Sequence, residues 1–210
     1  MDKKGLFITF EGCEGSGKSY QAKKLYQKLN ELSIPAILTH EPGGTPLGEK
    51  ISRLLKWEKN QKLSPLTEML LFNAARAHHV EKVIKPALKS GKVVICDRFT
   101  ASTVAYQGYT RGLSQELIET VNEAATQGIK PDLIILLDIP VEEGLARKNK
   151  EKPDRFHSES LAFHRRVRNG FLKQAAQDPK RWLFIDGRQT RKIISNIIWQ
   201  KVNWLLTLEQ

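Results

Sequence analysis

Residues 12–20 read GCEGSGKSY, a Gly-x-x-x-x-Gly-Lys-Ser pattern lying directly behind the apolar run GLFITFE at 5–11. Gly12, Gly15 and Gly17 let the backbone turn tightly and approach an anion, because no Cβ stands in the way. Successive N–H groups along Gly12, Cys13, Glu14, Gly15, Ser16, Gly17, Lys18 and Ser19, together with the N-terminus of a following helix, form a cradle for phosphate oxygens. Lys18 is placed to reach β- and γ-phosphates and Ser19 to coordinate Mg²⁺ through its hydroxyl. A strand before the loop and a helix after it are the context in which this pattern signals nucleotide binding rather than an ordinary glycine-rich turn. The loop does not name a reaction, since switches, motors and kinases share it.

Working outward, the apolar runs LFITF (6–10), VVIC (93–96), LIILLD (133–138) and WLFID (182–186) read as buried parallel strands, with PAILT (35–39) as a fifth. Helical apolar spacing fills the intervals at 18–32, 64–89, 114–126, 159–176 and 190–207. The segment 64–89 has Ser64 as N-cap and Pro65 at its first position, and Pro86 is expected to kink or end it. Strands alternating with helices predict an α/β domain of the P-loop NTPase fold. Its five-stranded parallel sheet would be covered by helices on both faces, with ligands at the carboxyl ends of the strands. No repeat, linker or composition break divides the chain. The expectation is one domain over 1–210 with a short basic lid at about 147–156.

The chain has 210 residues, 40% hydrophobic and 27% charged, a composition that fits a single globular domain. No apolar run reaches the roughly 20 residues that span a bilayer, and MDKKGLFITFEG lacks a signal-peptide pattern, so a cytoplasmic protein without a membrane partner is expected. Two cysteines, Cys13 and Cys96, are too few for a disulfide framework and read as reduced thiols. The formal charge of +11 fits either a nucleic-acid surface or a site that gathers several phosphates. No nucleic-acid module accompanies it, so no nucleic-acid partner is expected. RRVR at 165–168 has the spacing of a solvated helix face. A GTP switch would specify guanine with Asn-Lys-x-Asp, and the nearest candidate, residues 149–152, lacks the aspartate.

Asp97 and Arg98 end the run VVICDRF, level with the phosphate loop if the two strands are neighbours. Adjacent buried charges are costly unless paired or ion-bound, so Asp97 reads as a carboxylate for Mg²⁺ and Arg98 as a grip on a second phosphate. Asp138, at the next strand end, reads equally as a helix cap or a metal ligand. ICDRFTASTVAYQG (95–108) resembles the thymidylate kinase signature. It follows the phosphate loop, EPGGT (41–45) and FNAARAHH (72–79) in that family's order. LLDIPVEEGLARK (136–148) and DRFHSESLAFHRRVRNGF (154–171) extend the resemblance over nearly the whole chain.

The resemblance implies an ATP-dependent, Mg²⁺-assisted kinase that phosphorylates dTMP to dTDP for dTTP and DNA synthesis, working as a homodimer. Another nucleoside monophosphate or deoxynucleoside kinase of the same fold, or a basic nucleic-acid-binding P-loop ATPase, is the alternative. Spacing alone reads Phe72 as core and Arg76 as a surface charge; the resemblance instead implies that the two, four apart on one helix, stack on a pyrimidine and donate to its O4. By similarity, Ser102 and Thr103 approach the base edge with Gln107 beside them, and Tyr106 lies near the sugar 2′ position. Glu14 would receive the 3′-hydroxyl, and the Glu41 turn would border the acceptor phosphate. His40 precedes Glu41 where the family commonly has Arg, and Tyr20 stands where a small threonine is common. The loop itself lacks a basic residue before Lys18. The resemblance assigns the remaining transition-state charge to the lid, with Arg147 and Arg155 catalytic beside Lys18, Arg98 and Asp97, and with the lid lysines solvated.

Overall fold

A computed structural model describes residues 5–57, 63–148 and 154–208. Strands β1 (Phe7–Glu11), β2 (Ala36–His40), β3 (Val93–Asp97), β4 (Leu133–Asp138) and β5 (Trp182–Asp186) form one parallel sheet in the order β2-β3-β1-β4-β5. All five expected strands form, within a residue or so of the boundaries read from the sequence. β1 is central because its residues are apolar on both faces. Ile8 and Phe10 pack with Ile95, Ile135 and Leu137 against helices α1 (Lys18–Glu31) and, later in the chain, one spanning Arg191–Leu208. Phe7 packs on the other face with Val94, Cys96 and Phe99.

Between β2 and β3 run α2 (Pro46–Trp57), α3 (Pro65–His79), a π-helical turn (Val80–Ile84) and α4 (Lys85–Lys89). The helix expected to end or kink at Pro86 therefore continues past it. A prolyl ring clashes with the carbonyl one α-turn earlier and offers no N–H. The wider turn meets both problems: Lys85 N–H closes onto Val80 O, five residues back, and Pro86 falls in the first turn of α4, where its missing donor is not needed.

After β3 come the short α5 (Thr100–Thr103) and a second π-helical segment (Val104–Thr110), then α6 (Gln115–Thr126), α7 (Val141–Lys148), α8 (Leu161–Gln177) and α9 (Arg191–Leu208). Serine caps start three helices: Ser64, Ser114 and Ser160 accept from the N–H groups of Thr67, Leu117 and Phe163. α2 was not expected, since its Gly/Pro-rich start hides its periodicity, and α7 was foreseen only in the reading of Asp138 as a helix cap. Residues 149–153, which include Lys150, Lys152 and Pro153 of the expected lid, lie outside the described residues.

Candidate active site

The parallel pairing of β1 with β3 sets Phe10 opposite Asp97, so the strand end that carries the phosphate loop lies beside the Asp97–Arg98 pair. Gly15 has φ +69°, and a Cβ there would come within 2.0 Å of Gly144 O. A Cβ on Gly144 would in turn come within 2.3 Å of Glu14 O, so the loop and α7 touch backbone to backbone. Lys18 Nζ is buried and donates to Cys13 O at 3.2 Å. Burial, with Arg98 nearby, lowers its pKa from the ordinary lysine value. Ser19 Oγ donates to Asp97 Oδ2, while Asp97 Oδ1 is buried without a protein partner among the described residues. One hydroxyl and one carboxylate with an unused buried oxygen fit Mg²⁺, which takes few protein ligands and completes its shell with water and phosphate. Among the described residues no group of three or more His, Cys, Asp or Glu side chains is arranged to hold a metal without such help.

Arg98 has φ +71°, a left-handed conformation that turns its side chain back over the loop. Its Nη2 donates to Glu14 Oε1 at 3.0 Å and to Tyr106 Oη at 3.3 Å, and the guanidinium lies 5.3 Å from the Tyr106 ring centre. Its Nη1 donates to Ser102 Oγ at 3.0 Å, and Ser102 Oγ donates to Glu11 Oε2 at 2.6 Å. The other Glu11 oxygen accepts from Phe99 N at 2.8 Å. Ser102, expected at the base edge, thus spends its hydroxyl hydrogen inside a Glu11–Ser102–Arg98 chain. Burial raises the Glu11 carboxyl to about 7, against the lowering pull of the Ser102 hydrogen bond and the Arg98 charge. Glu14 behaves oppositely: burial pushes it up, but Lys18, Arg98 and Lys148 outweigh that and hold it well below the usual carboxylate range. Burial drives the Tyr106 phenol far above its ordinary value, so it stays neutral.

At the other end of the pocket, Phe72 and Arg76 project from α3 beside Thr103, Tyr106 and Gln107. Arg76 is 2% exposed and held on four sides. Nε donates to Glu41 Oε2 at 2.8 Å, and Nη1 faces Asn73 Oδ1, Thr103 Oγ1 and Asn122 Oδ1 at 2.8–3.0 Å. Nη2 has no hydrogen-bond partner among the described residues and is the donor left for a ligand. Glu41 also pairs with buried His79 at 3.2 Å, whose far nitrogen meets Thr39 Oγ1 at 2.6 Å. Gln107 donates to Glu68 Oε1 at 2.7 Å. Phe156 closes this end, with ring centres 5.9 Å from both Phe72 and Tyr106.

The expected basic residues divide. Arg147 donates to Gly187 O at 3.3 Å and Arg155 pairs with Glu68 at 2.7 Å; neither lines the pocket. Lys148, expected to be solvated, lines it and pairs with Glu14 at 2.7 Å. RRVR is not simply a solvated face: Arg168 makes a two-pronged pair with Asp138, both contacts 2.8 Å, and Arg165 pairs with Glu142. Asp138 is thus engaged as an arginine partner, a role that neither reading gave it. His40 pairs with Glu49 at 3.0 Å, and the Tyr20 ring lies 4.5 Å from the Arg191 guanidinium. Glu11, Glu68, His79, Asn122 and Phe156 went unread. The only signal for Glu11 is its place as a carboxylate ending an apolar run; the others resemble ordinary helix or loop residues.

Comparison with known proteins gives the family of the chain. The thymidylate kinase family model matches residues 10–198. A thymidylate kinase of Dehalococcoides mccartyi is 52% identical over 98% of this chain and 99% of its own length. One of Geotalea uraniireducens is 49% identical over 88% of this chain and 90% of its own. The crystal structure of thymidylate kinase from Ehrlichia chaffeensis superposes with a TM-score of 0.73 at 38% identity, covering 87% of this chain and 93% of that one.

Proposed function

This chain belongs to the thymidylate kinase family, and from that membership we infer that it phosphorylates dTMP to dTDP with ATP as donor, a step of dTTP synthesis. The observation that carries a two-substrate reading of the site is Arg98, held between Glu14 of the phosphate loop and Ser102, at the boundary between the loop and the Phe72–Arg76 end of the pocket.

The nucleophile is a phosphate oxygen of dTMP, already anionic, so no base is needed to remove a proton. That oxygen bonds to the γ-phosphorus as the bond to the β,γ-bridging oxygen breaks, and ADP leaves with the electron pair. Such a loose in-line transfer needs alignment and positive charge more than covalent help. The loop N–H groups and Lys18 hold the donor phosphates, and Arg98 holds the acceptor phosphate facing them. Ser19 and Asp97 would hold Mg²⁺, whose chemistry there would be to offset the negative charge of the donor phosphates. Glu14 keeps a lone pair on each oxygen beyond its pairs with Arg98 and Lys148, enough to accept the 3′-hydroxyl. Phe72 offers a stacking face, and Arg76 Nη2 offers a donor that suits the O4 of thymine and meets a like donor in the amino group of cytosine. The Tyr106 ring beside the sugar disfavours a ribose 2′-hydroxyl, while Thr103 and Gln107, which also line the pocket, bond to Arg76 and Glu68. Lys148 takes the place beside the loop that was expected of Arg147.

Two copies pair, in this reading, through the outer face of α3. Leu66 and Leu70 stand there one turn apart at 44% and 47% exposure, with exposed Leu47 on neighbouring α2. Cytoplasmic residence fits Cys13 and Cys96 as buried free thiols. A coupled assay with ATP, Mg²⁺ and a panel of dTMP, dUMP, dCMP and thymidine tests the function. dTMP is expected to be the best acceptor, and a different best acceptor would overturn the assignment.

A further inference from the structure

Glu68 is a buried carboxylate that the phosphoryl transfer does not use. It lies on the first turns of α3, is 1% exposed, and gathers every donor that reaches it from two other parts of the chain. Gln107 Nε2 donates to Oε1 at 2.7 Å from the second π-helical segment, and Arg111 reaches both oxygens at 3.4 Å from just beyond it. Arg155 Nη2 donates to Oε2 at 2.7 Å. A carboxylate taken from water at this depth is tolerated only with such compensation, and withdrawing one cation leaves a costly residual charge.

Arg155 is fixed by more than this pair. Its Nε donates to Leu55 O and its backbone N–H to Lys56 O, both at 3.0 Å, so α2 and α3 hold it together. Its guanidinium lies 4.9 Å from the ring centre of the next residue, Phe156. Phe156 is 6% exposed and lines the pocket against Phe72 and Tyr106. The chain of contacts therefore runs from Glu68 through Arg155 to an aromatic wall at the nucleoside end, and Gln107 ties the neighbour of Tyr106 to the same carboxylate.

We propose that Glu68 and Arg155 are positioning residues for the acceptor nucleoside: their buried pair seats Phe156 against Phe72 and Tyr106, and so builds the wall that encloses the thymine and sugar. The proposal rests on the kinase reading of the site. It differs from a transition-state role for Arg155, because a guanidinium that donates to Glu68 and to Leu55 O has its charge committed away from the phosphates.

Binding of thymidine, dTMP and a non-hydrolysable ATP analogue to wild type, Arg155→Ala and Glu68→Gln, measured by calorimetry with kcat alongside, tests it. Thymidine has no phosphate and reports the wall alone. Losing one aromatic wall is expected to weaken thymidine and dTMP by the same factor, roughly ten-fold, with affinity for the ATP analogue held within about two-fold and kcat at saturating dTMP within about three-fold. Arg155→Lys keeps the charge but cannot span Leu55 O and Glu68 together, and should fall between. A collapse of kcat with thymidine affinity intact would put Arg155 at the phosphates and overturn the proposal. So would parallel loss of thymidine and ATP-analogue binding with a large fall in Tm, which would make the pair plain scaffolding. If Glu68→Gln does not fold, Arg155→Ala decides, since it leaves Glu68 with Arg111 and Gln107. Wild type binding neither dTMP nor thymidine would instead sink the kinase reading itself.

Discussion

Glu11 ends an otherwise apolar strand, fully enclosed, with its carboxyl raised to about 7 by burial. Its folded pKa lies above the unfolded value near 4.5, so between those limits the folded chain holds a proton that the unfolded chain has released. Stability therefore falls as pH rises through that window, by on the order of 3 kcal/mol for a fully buried group. Glu11→Gln removes the titration while keeping an acceptor for Phe99 N–H. Denaturant melts from pH 5 to pH 8 should show the variant losing less stability than wild type, and equal slopes would refute this. Ser102→Ala cuts the same chain one link nearer the substrate. It should lower kcat/KM for dTMP about ten-fold with KM for ATP unchanged, because only the Arg98 grip is loosened. Much of this was beyond reading from the sequence. Asp97 and Arg98 announce themselves as charges at a buried strand end, whereas Ser102 beside them suited the base edge equally well until Glu11 was found 2.6 Å away.

Secondary-structure elements reach the site through close approaches that only small residues allow. The contact of Gly15 with Gly144 lets α7 abut the phosphate loop, and α7 ends in Lys148, the partner of Glu14. Gly144→Ala leaves an ordinary helical conformation but forces the backbones apart. It should cost about 2 kcal/mol in stability and raise KM for ATP, measured by melting and steady-state kinetics. If neither changes, the loop is not braced by α7. Two π-helical turns serve the same end. One carries the helix past Pro86, and the other bears Tyr106 and Gln107, turning two side chains that a regular helix would place differently. Strands were legible because their apolar runs are continuous. The π turns were not, since an extra residue in a turn leaves no mark in composition. Phe72 and Arg76 were readable as one face of α3, but the roles of Asn122 and His79 depend on contacts 46 and 38 residues away along the chain.

For the molecule as a whole, the net charge of +11 has a local expression in Lys18, Arg98 and Lys148 around one loop, where two highly charged substrates meet. The outer face of α3 presents Leu66 and Leu70 to solvent in a single copy, while its inner face supplies Phe72 and Arg76 to the pocket. A dimer through that face would couple assembly to the acceptor end of the site. Leu70→Glu should shift the protein to monomer in sedimentation analysis and raise KM for dTMP more than KM for ATP. A wild-type protein that is already monomeric at micromolar concentration would refute the pairing. The fold class could be read from strand and helix alternation together with the loop, but the exposure of Leu66 and Leu70 could not, since apolar periodicity does not tell core from surface.

The strand order also has a consequence in time. β1 precedes the other four strands in the chain, yet it is central, and its partners β3 and β4 are made much later; Phe7 N–H even waits for the carboxylate of Asp132, 125 residues on. Non-local pairings of this kind are slow to form and reward the chain only at closure. The phosphate loop thus lacks its neighbouring strands until β3 and β4 have followed it. A strand made before its neighbours becomes competent only with them, so nucleotide capture is expected to follow closure of the sheet.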